Sequence, residues 1–133
     1  MARIMLIEDS PDLIEMLTML FSIHGHNTAA SLTPENVPAQ IASFIPDIIL
    51  VDAKLGKQSG RSLCKEIKKE HKALPVILMS ADPTLLVNYE ECEADDIIEK
   101  PFDIDEMIEG VNRLTSYNYP PRKNSYIVPF KFN

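Results

Sequence analysis

Four short runs decide what this chain can fold into. RIMLI (3–7), PDIILVD (46–52), LPVILMSA (74–81) and DDIIEKPF (95–102) hold consecutive apolar residues instead of alternating them with polar ones. An alternating strand wets one face, whereas an uninterrupted apolar strand is covered on both. Between these runs the spacing turns helical. SPDLIEMLTMLFSIHG (10–25) reads as a helix, with Ser10 to cap it, Pro11 suited to its first turn and Gly25 to its exit. TPENVPAQIASFI (33–45) reads as a helix weakened by Pro38, and SGRSLCKEIKKEH (59–71) as one with Leu63, Cys64 and Ile67 facing inward. PTLLVNYEEC (83–92) reads as a short helix, and DIDEMIEGVNRLTSY (103–117) as one opened by an Asp-x-x-Glu capping box. HNTAAS (26–31) is a weak second strand.

Strand and helix thus alternate five times, which predicts an α/β domain with a doubly wound five-stranded parallel sheet in a three-layer sandwich. Ligands of such sheets bind at the carboxyl ends of the strands. The 133 residues suffice for one domain. It is placed at 1–117, and Pro120-Pro121 should end the last helix. Residues 118–133, rich in proline and aromatics, with three basic residues and no acid, read as an extended tail.

Composition excludes several classes. No apolar run approaches the ~20 residues that span a bilayer, and acidic residues follow the N-terminus too soon for a secretory signal. A cytoplasmic protein without membrane association is expected. A net charge of −7 argues against direct nucleic-acid binding. Cys64 and Cys92 have neither a CxxC nor a metal-ligand spacing, and read as free thiols with one in the core.

The chemistry gathers at the strand ends. The first strand ends in Glu8-Asp9, the third in Asp52, the fourth in Ser80 and the fifth in Lys100-Pro101. Alone, each has a bland explanation: a helix-start acid pair, a strand-end cap, a turn hydroxyl, a surface charge. Together they put three carboxylates, a hydroxyl and a lysine at one edge. Clustered carboxylates repel each other unless a cation joins them, and oxygen-only ligands in a partly hydrated site suit Mg²⁺. The lysine and hydroxyl suit an anionic group beside the metal, above all a phosphoryl group.

In this order and on these strand ends, Glu8-Asp9, Asp52, Ser80-Ala81 and Lys100-Pro101-Phe102 resemble the motifs of the response regulator receiver domain family. The resemblance covers about residues 2–117 and implies a (βα)5 flavodoxin-like, CheY-like fold. It also implies roles. Asp52 is the phosphoacceptor, taking a phosphoryl group from a sensor histidine kinase or phosphotransfer protein. Glu8, Asp9, Asp52 and the backbone carbonyl of Lys54 hold Mg²⁺, Lys100 pairs with the phosphoryl oxygens, and the Ser80 hydroxyl bonds one of them. The Lys100-Pro101 bond is expected to be cis. The implied protein is a switch, not an enzyme with an external substrate.

Some positions depart from the pattern. Ile97 stands where an aromatic is usual, and Glu93 where a glycine is usual, so the fourth helix is expected to be truncated or mobile. Gly56 replaces a common proline, which predicts a looser loop. Lys54 and Asp82 flank the acceptor and are candidates for an ion pair over it. On the first helix, Leu13, Met16, Leu17, Leu20 and Phe21 make a core face, leaving Ile14, Met19 and Ile23 for a kinase-side contact. The expected protein is a stand-alone regulator, monomer or weak dimer, that signals to an unnamed protein target. The alternatives are a domain of a longer hybrid kinase or regulator and, from another class, an aspartate-nucleophile phosphatase. The latter wants a second acid where Lys54 stands. A flavin mononucleotide binder is disfavoured by the acidic EDSPD loop.

Overall fold

The computed structural model describes residues 1–116. The expectations about the tail lie outside these residues. Five strands, β1 (Arg3–Ile7), β2 (Asn27–Ser31), β3 (Ile48–Asp52), β6 (Val76–Ser80) and β7 (Asp96–Glu99), form one sheet in the order β2-β1-β3-β6-β7. All its pairings are parallel. The direction in which successive strands are added to the sheet reverses between β1 and β3, so this order creates a switch point at their carboxyl ends. Every residue of β3 and β6 is buried, as their unbroken apolar runs require.

The α-helices are α1 (Pro11–Ile23), α2 (Val37–Phe44), α3 (Gly60–Glu70) and α4 (Ile104–Leu114). They split the core in two. Met5, Ile49, Val51 and Leu78 pack with Ile41 of α2 and Cys64 and Ile67 of α3 on one face. Leu6, Leu50 and Ile77 pack with Leu17 and Phe21 of α1 and Met107 and Val111 of α4 on the other. The three layers are those expected from the alternation of runs. Ser10 caps α1 as predicted, its hydroxyl accepting from the Leu13 amide at 3.3 Å.

Four local expectations are corrected. The second helix begins at Val37, not at residue 33, because Pro38 belongs in a first turn, where its missing N–H costs nothing. On α1, Ile14 packs against the core while Met16 is 42% exposed. The buried stripe follows Leu17 and Phe21, one helical turn apart, and Met16 falls off its edge. The loop after Asp52 is not loose. It forms a hairpin between β4 (Lys54–Leu55) and β5 (Gln58–Ser59), and Gly56 turns it with φ +62°.

The fourth concerns residues 83–92, where the expected truncation is borne out and goes further than the short helix read there. Among the described residues no α-helix lies between β6 and β7, and the repeat count drops from five helices to four. Two 3-10 turns, Pro83–Leu85 and Tyr89–Cys92, stand in its place. Asn88 and Glu93 bracket the second turn in left-handed backbone, φ +54° and +66°. Such conformations stop a helix from propagating. Carbonyls that helical amides would have satisfied are taken by one side chain. Arg61 of α3 donates to the carbonyls of Leu85, Val87 and Asn88 at 2.9, 2.8 and 2.9 Å. Arg61→Ala should lower stability by about 1–2 kcal/mol and speed amide hydrogen exchange across 83–92. Arg61→Lys should not rescue it, because a point charge cannot reach three carbonyls as a fork does. Unchanged exchange in Arg61→Ala would refute this role.

Candidate functional site

Register brings the site together before any side chain is considered. Ile7 pairs with Val51, so Glu8 follows beside Asp52. Asp52 pairs with Met79, which places Ser80 one step beyond, and Ser80 pairs with Glu99, which delivers Lys100. Each residue is the last of its strand or the next one along.

Lys100 organises the centre. Its ammonium donates to Asp52 Oδ2 at 2.5 Å and to Glu8 Oε1 at 2.7 Å. The Lys100-Pro101 bond is cis, as expected from the resemblance. Glu8 is 1% exposed, and its other oxygen accepts the Ser10 amide at 3.0 Å. Asp52 is also buried, and its Oδ1 accepts the Lys54 amide at 2.7 Å. Asp9 is exposed and holds the hairpin by accepting the Gly56 amide at 2.9 Å. Buried Ser80 accepts the Asp82 amide at 3.0 Å, which leaves its own O–H to donate.

Oxygens of Glu8, Asp9 and Asp52 lie within 4.8 Å of one another. Three carboxylates face one ammonium, so the cluster has two negative charges in excess when all are ionised. Burial pushes the Glu8 carboxyl up to about 7, against the Lys100 hydrogen bond and with the Asp52 charge adding to the rise. Burial also works against the Lys100 ammonium, but its hydrogen bonds to Asp52 and Glu8 outweigh it and raise its pKa. One ammonium thus leaves a carboxylate under-compensated. Hard oxygen donors, an excess of two charges and one exposed member fit a hydrated divalent cation such as Mg²⁺.

A cavity of about 380 Å³ opens over Asp9, Asp52, Ser80 and Lys100, with Lys54 and Asp82 at its lip. A larger cavity, about 510 Å³, lies where the chain enters the sheet, beside Ala2, His26 and Pro75, away from these groups. The expected Lys54–Asp82 pair is not formed. Asp82 turns away to cap the first 3-10 turn, its Oδ1 accepting the Thr84 amide at 3.0 Å and hydroxyl at 2.7 Å. Those bonds, more than the charge of Lys54, lower its pKa. Local capping is satisfied within three residues, while a pair across the cavity would order two exposed side chains for little gain.

Two structural residues, one beside the site and one remote from it, escaped the sequence reading. Gly60, the first residue of α3, lies so close to β3 that a Cβ on it would meet the Asp52 carbonyl oxygen at 1.9 Å. Its amide donates to the Ala53 carbonyl at 2.8 Å. Lys68 forms a buried ion pair with Asp95 at 2.7 Å. Its helical phase with Gly60, Cys64 and Ile67 was the signal available, masked by the lysines around it.

Comparison with known proteins agrees with this geometry. Residues 4–112 match the family described as response regulator receiver domain. Regulatory protein AtoC of Escherichia coli is 30% identical over 107 residues, covering 79% of this chain and 23% of AtoC. The DNA-binding transcriptional regulator NtrC of Salmonella typhimurium is 41% identical over 83 residues, 61% of this chain and 18% of NtrC. The chain therefore spans about a fifth to a quarter of these relatives. Among solved structures, the receiver domain of NtrX from Brucella abortus superposes with a TM-score of 0.78 at 29% identity, covering 84% of this chain and 97% of that one. The fold is therefore that of a receiver domain, and this chain belongs to the response regulator receiver domain family.

Proposed function

We propose that the domain is a phosphorylatable switch with Asp52 as the acceptor. The supporting observation is the Lys100 ammonium held between Asp52 and Glu8 at the floor of an open cavity. The donor is a phosphohistidine on a sensor kinase or phosphotransfer protein. An Asp52 carboxylate oxygen attacks phosphorus, the phosphorus–nitrogen bond breaks, and the imidazole nitrogen keeps the electron pair. Glu8, Asp9, Asp52 and the Lys54 carbonyl would hold Mg²⁺, which neutralises charge on the transferring group. Lys100 exchanges part of its carboxylate bonding for a phosphoryl oxygen, and Ser80 turns its O–H onto another. Water attack on phosphorus later restores the carboxylate.

The output is a protein contact, in the cytoplasm and without direct DNA binding by this domain. Ile97 is only partly buried and packs against the core face that carries the 83–92 segment. That segment, in place of a regular helix, is the surface whose shape Ser80 can alter, through Asp82 two residues on, whose amide it holds.

Incubation with a small acyl phosphate donor and Mg²⁺ should phosphorylate wild-type protein to at most one group per chain, and chelation of the metal should stop it. Metal-independent uptake, or steady turnover of a phosphomonoester, would overturn the reading, and the latter would favour a phosphatase.

A further inference from the structure

The two cysteines lie 28 residues apart in the chain, and the fold stacks them. Cys64 of α3 is fully buried, and its thiol donates to the backbone oxygen of Cys92 at 3.3 Å. Cys92 is 4% exposed, and its thiol donates to the Tyr89 carbonyl at 3.2 Å. A disulfide asks for Cα atoms within about 7 Å and facing Cβ atoms, and a Cys64 thiol bonded to the backbone oxygen of Cys92 itself lies in that neighbourhood.

The thiols are not equivalent. The neighbouring Cys64 draws the Cys92 thiol downward, while the neighbouring Cys92 and burial push Cys64 up. Cys92 is thus the sulfur more readily ionised and Cys64 the less, the asymmetry that stepwise thiol oxidation uses. Access comes from the host segment. Cys92 lies in the second 3-10 turn, between the left-handed residues Asn88 and Glu93. Segments without regular hydrogen-bond ladders open at lower cost than helices do.

We propose that Cys64 and Cys92 are a peroxide-oxidisable dithiol whose disulfide ties α3 to the 83–92 segment. The Cys92 thiolate attacks one oxygen of hydrogen peroxide, the oxygen–oxygen bond breaks, and the departing hydroxide takes a proton and leaves as water. The sulfur of Cys64 then attacks the resulting sulfenic sulfur. The sulfur–oxygen bond breaks, and the hydroxide leaves as a second water with the Cys64 proton. Each sulfur is oxidised by one electron, and the peroxide is reduced by two. The bond joins the helix that starts against Asp52 to the segment that starts beyond Ser80, but its formation requires neither phosphate nor metal.

The test treats the folded full chain with hydrogen peroxide, blocks remaining thiols with an alkylating agent in denaturant, and maps peptides without reduction. The expected result is loss of both alkylatable thiols, one peptide pair joined through Cys64 and Cys92 within a single chain, and full recovery after dithiothreitol. Cys64→Ser should instead trap a sulfenic acid on Cys92, captured by dimedone. Should that variant fail to fold, the wild-type map decides alone. Both thiols surviving, oxidation only to sulfinic or sulfonic acid, crosslinks only between chains, or a crosslink forming only in denaturant would each overturn the proposal.

Discussion

Lys68→Met should lose about 3–5 kcal/mol of folding stability, read from urea unfolding. The methionine keeps the volume of the stem but strands a carboxylate. Lys68 and Asp95 have side chains 0% and 1% exposed, with nitrogen and oxygen 2.7 Å apart. The same ammonium donates to the Leu74 carbonyl at 2.6 Å and to that of Lys72 at 3.3 Å. Asp95 in turn accepts the Val76 amide at 2.9 Å. One buried pair thus fastens the end of α3 to the beginning of β6 and β7. Taking two charges from water costs about as much as their attraction returns, so the intact pair adds little by itself. Removing one member is costly because the other stays buried. Lys68→Met combined with Asp95→Asn should therefore be more stable than Lys68→Met alone, since asparagine removes the charge and still accepts the Val76 amide. If the double variant is as unstable as the sum of both single changes, lost packing is the cause and not the stranded charge.

Gly60→Ala is the second large effect, and two forces oppose each other in it. Alanine is preferred over glycine within a helix by about 1 kcal/mol, so propensity favours the change. Space forbids it. The new Cβ would lie 1.9 Å from the Asp52 carbonyl oxygen and 2.8 Å from the Ala53 Cα. Both obstacles are backbone of the acceptor strand, so either α3 or the end of β3 must move. Overpacking against rigid neighbours costs about 1–3 kcal/mol, which exceeds the propensity gain. The functional loss should be larger than the stability loss, because a shift of about 1 Å at a reacting group can cost about a hundredfold in rate. The variant should remain mostly folded yet take up phosphoryl groups far more slowly than wild type. Wild-type uptake by a stably folded Gly60→Ala would show that the close approach does not position Asp52.

What the sequence revealed follows from how each feature is encoded. The central strands were readable because burial on both faces leaves a local trace, four apolar residues in a row in β3 up to Asp52. The site was readable because a parallel sheet puts all its strand ends on one side, so a list of strand-end residues is already a list of neighbours. Glu8, Asp52, Ser80 and Lys100 converge for that reason, and the exposed Asp9 lies beside them. The shortening of the 83–92 helix was legible but its complete loss was not, because its apolar residues carry a helical spacing while its conformation is set from outside, by the Arg61 fork on three carbonyls. Lys68 was hidden because its partner is 27 positions away and its neighbours Lys65 and Lys69 are exposed. The cysteine pair was hidden likewise, since spacing in the chain says nothing of a contact made by docking one segment on another.

The central claim is that Asp52 is the atom-level acceptor, and the most direct measurement locates the group. After phosphorylation with a small acyl phosphate donor and Mg²⁺, borohydride reduces an aspartyl phosphate to homoserine, which mass spectrometry of peptides assigns to a residue. The account predicts homoserine at position 52 of the wild type and no phosphoryl uptake by Asp52→Asn. A phosphoryl group found on Asp9, Glu8 or any other residue, or full uptake by folded Asp52→Asn, would contradict it.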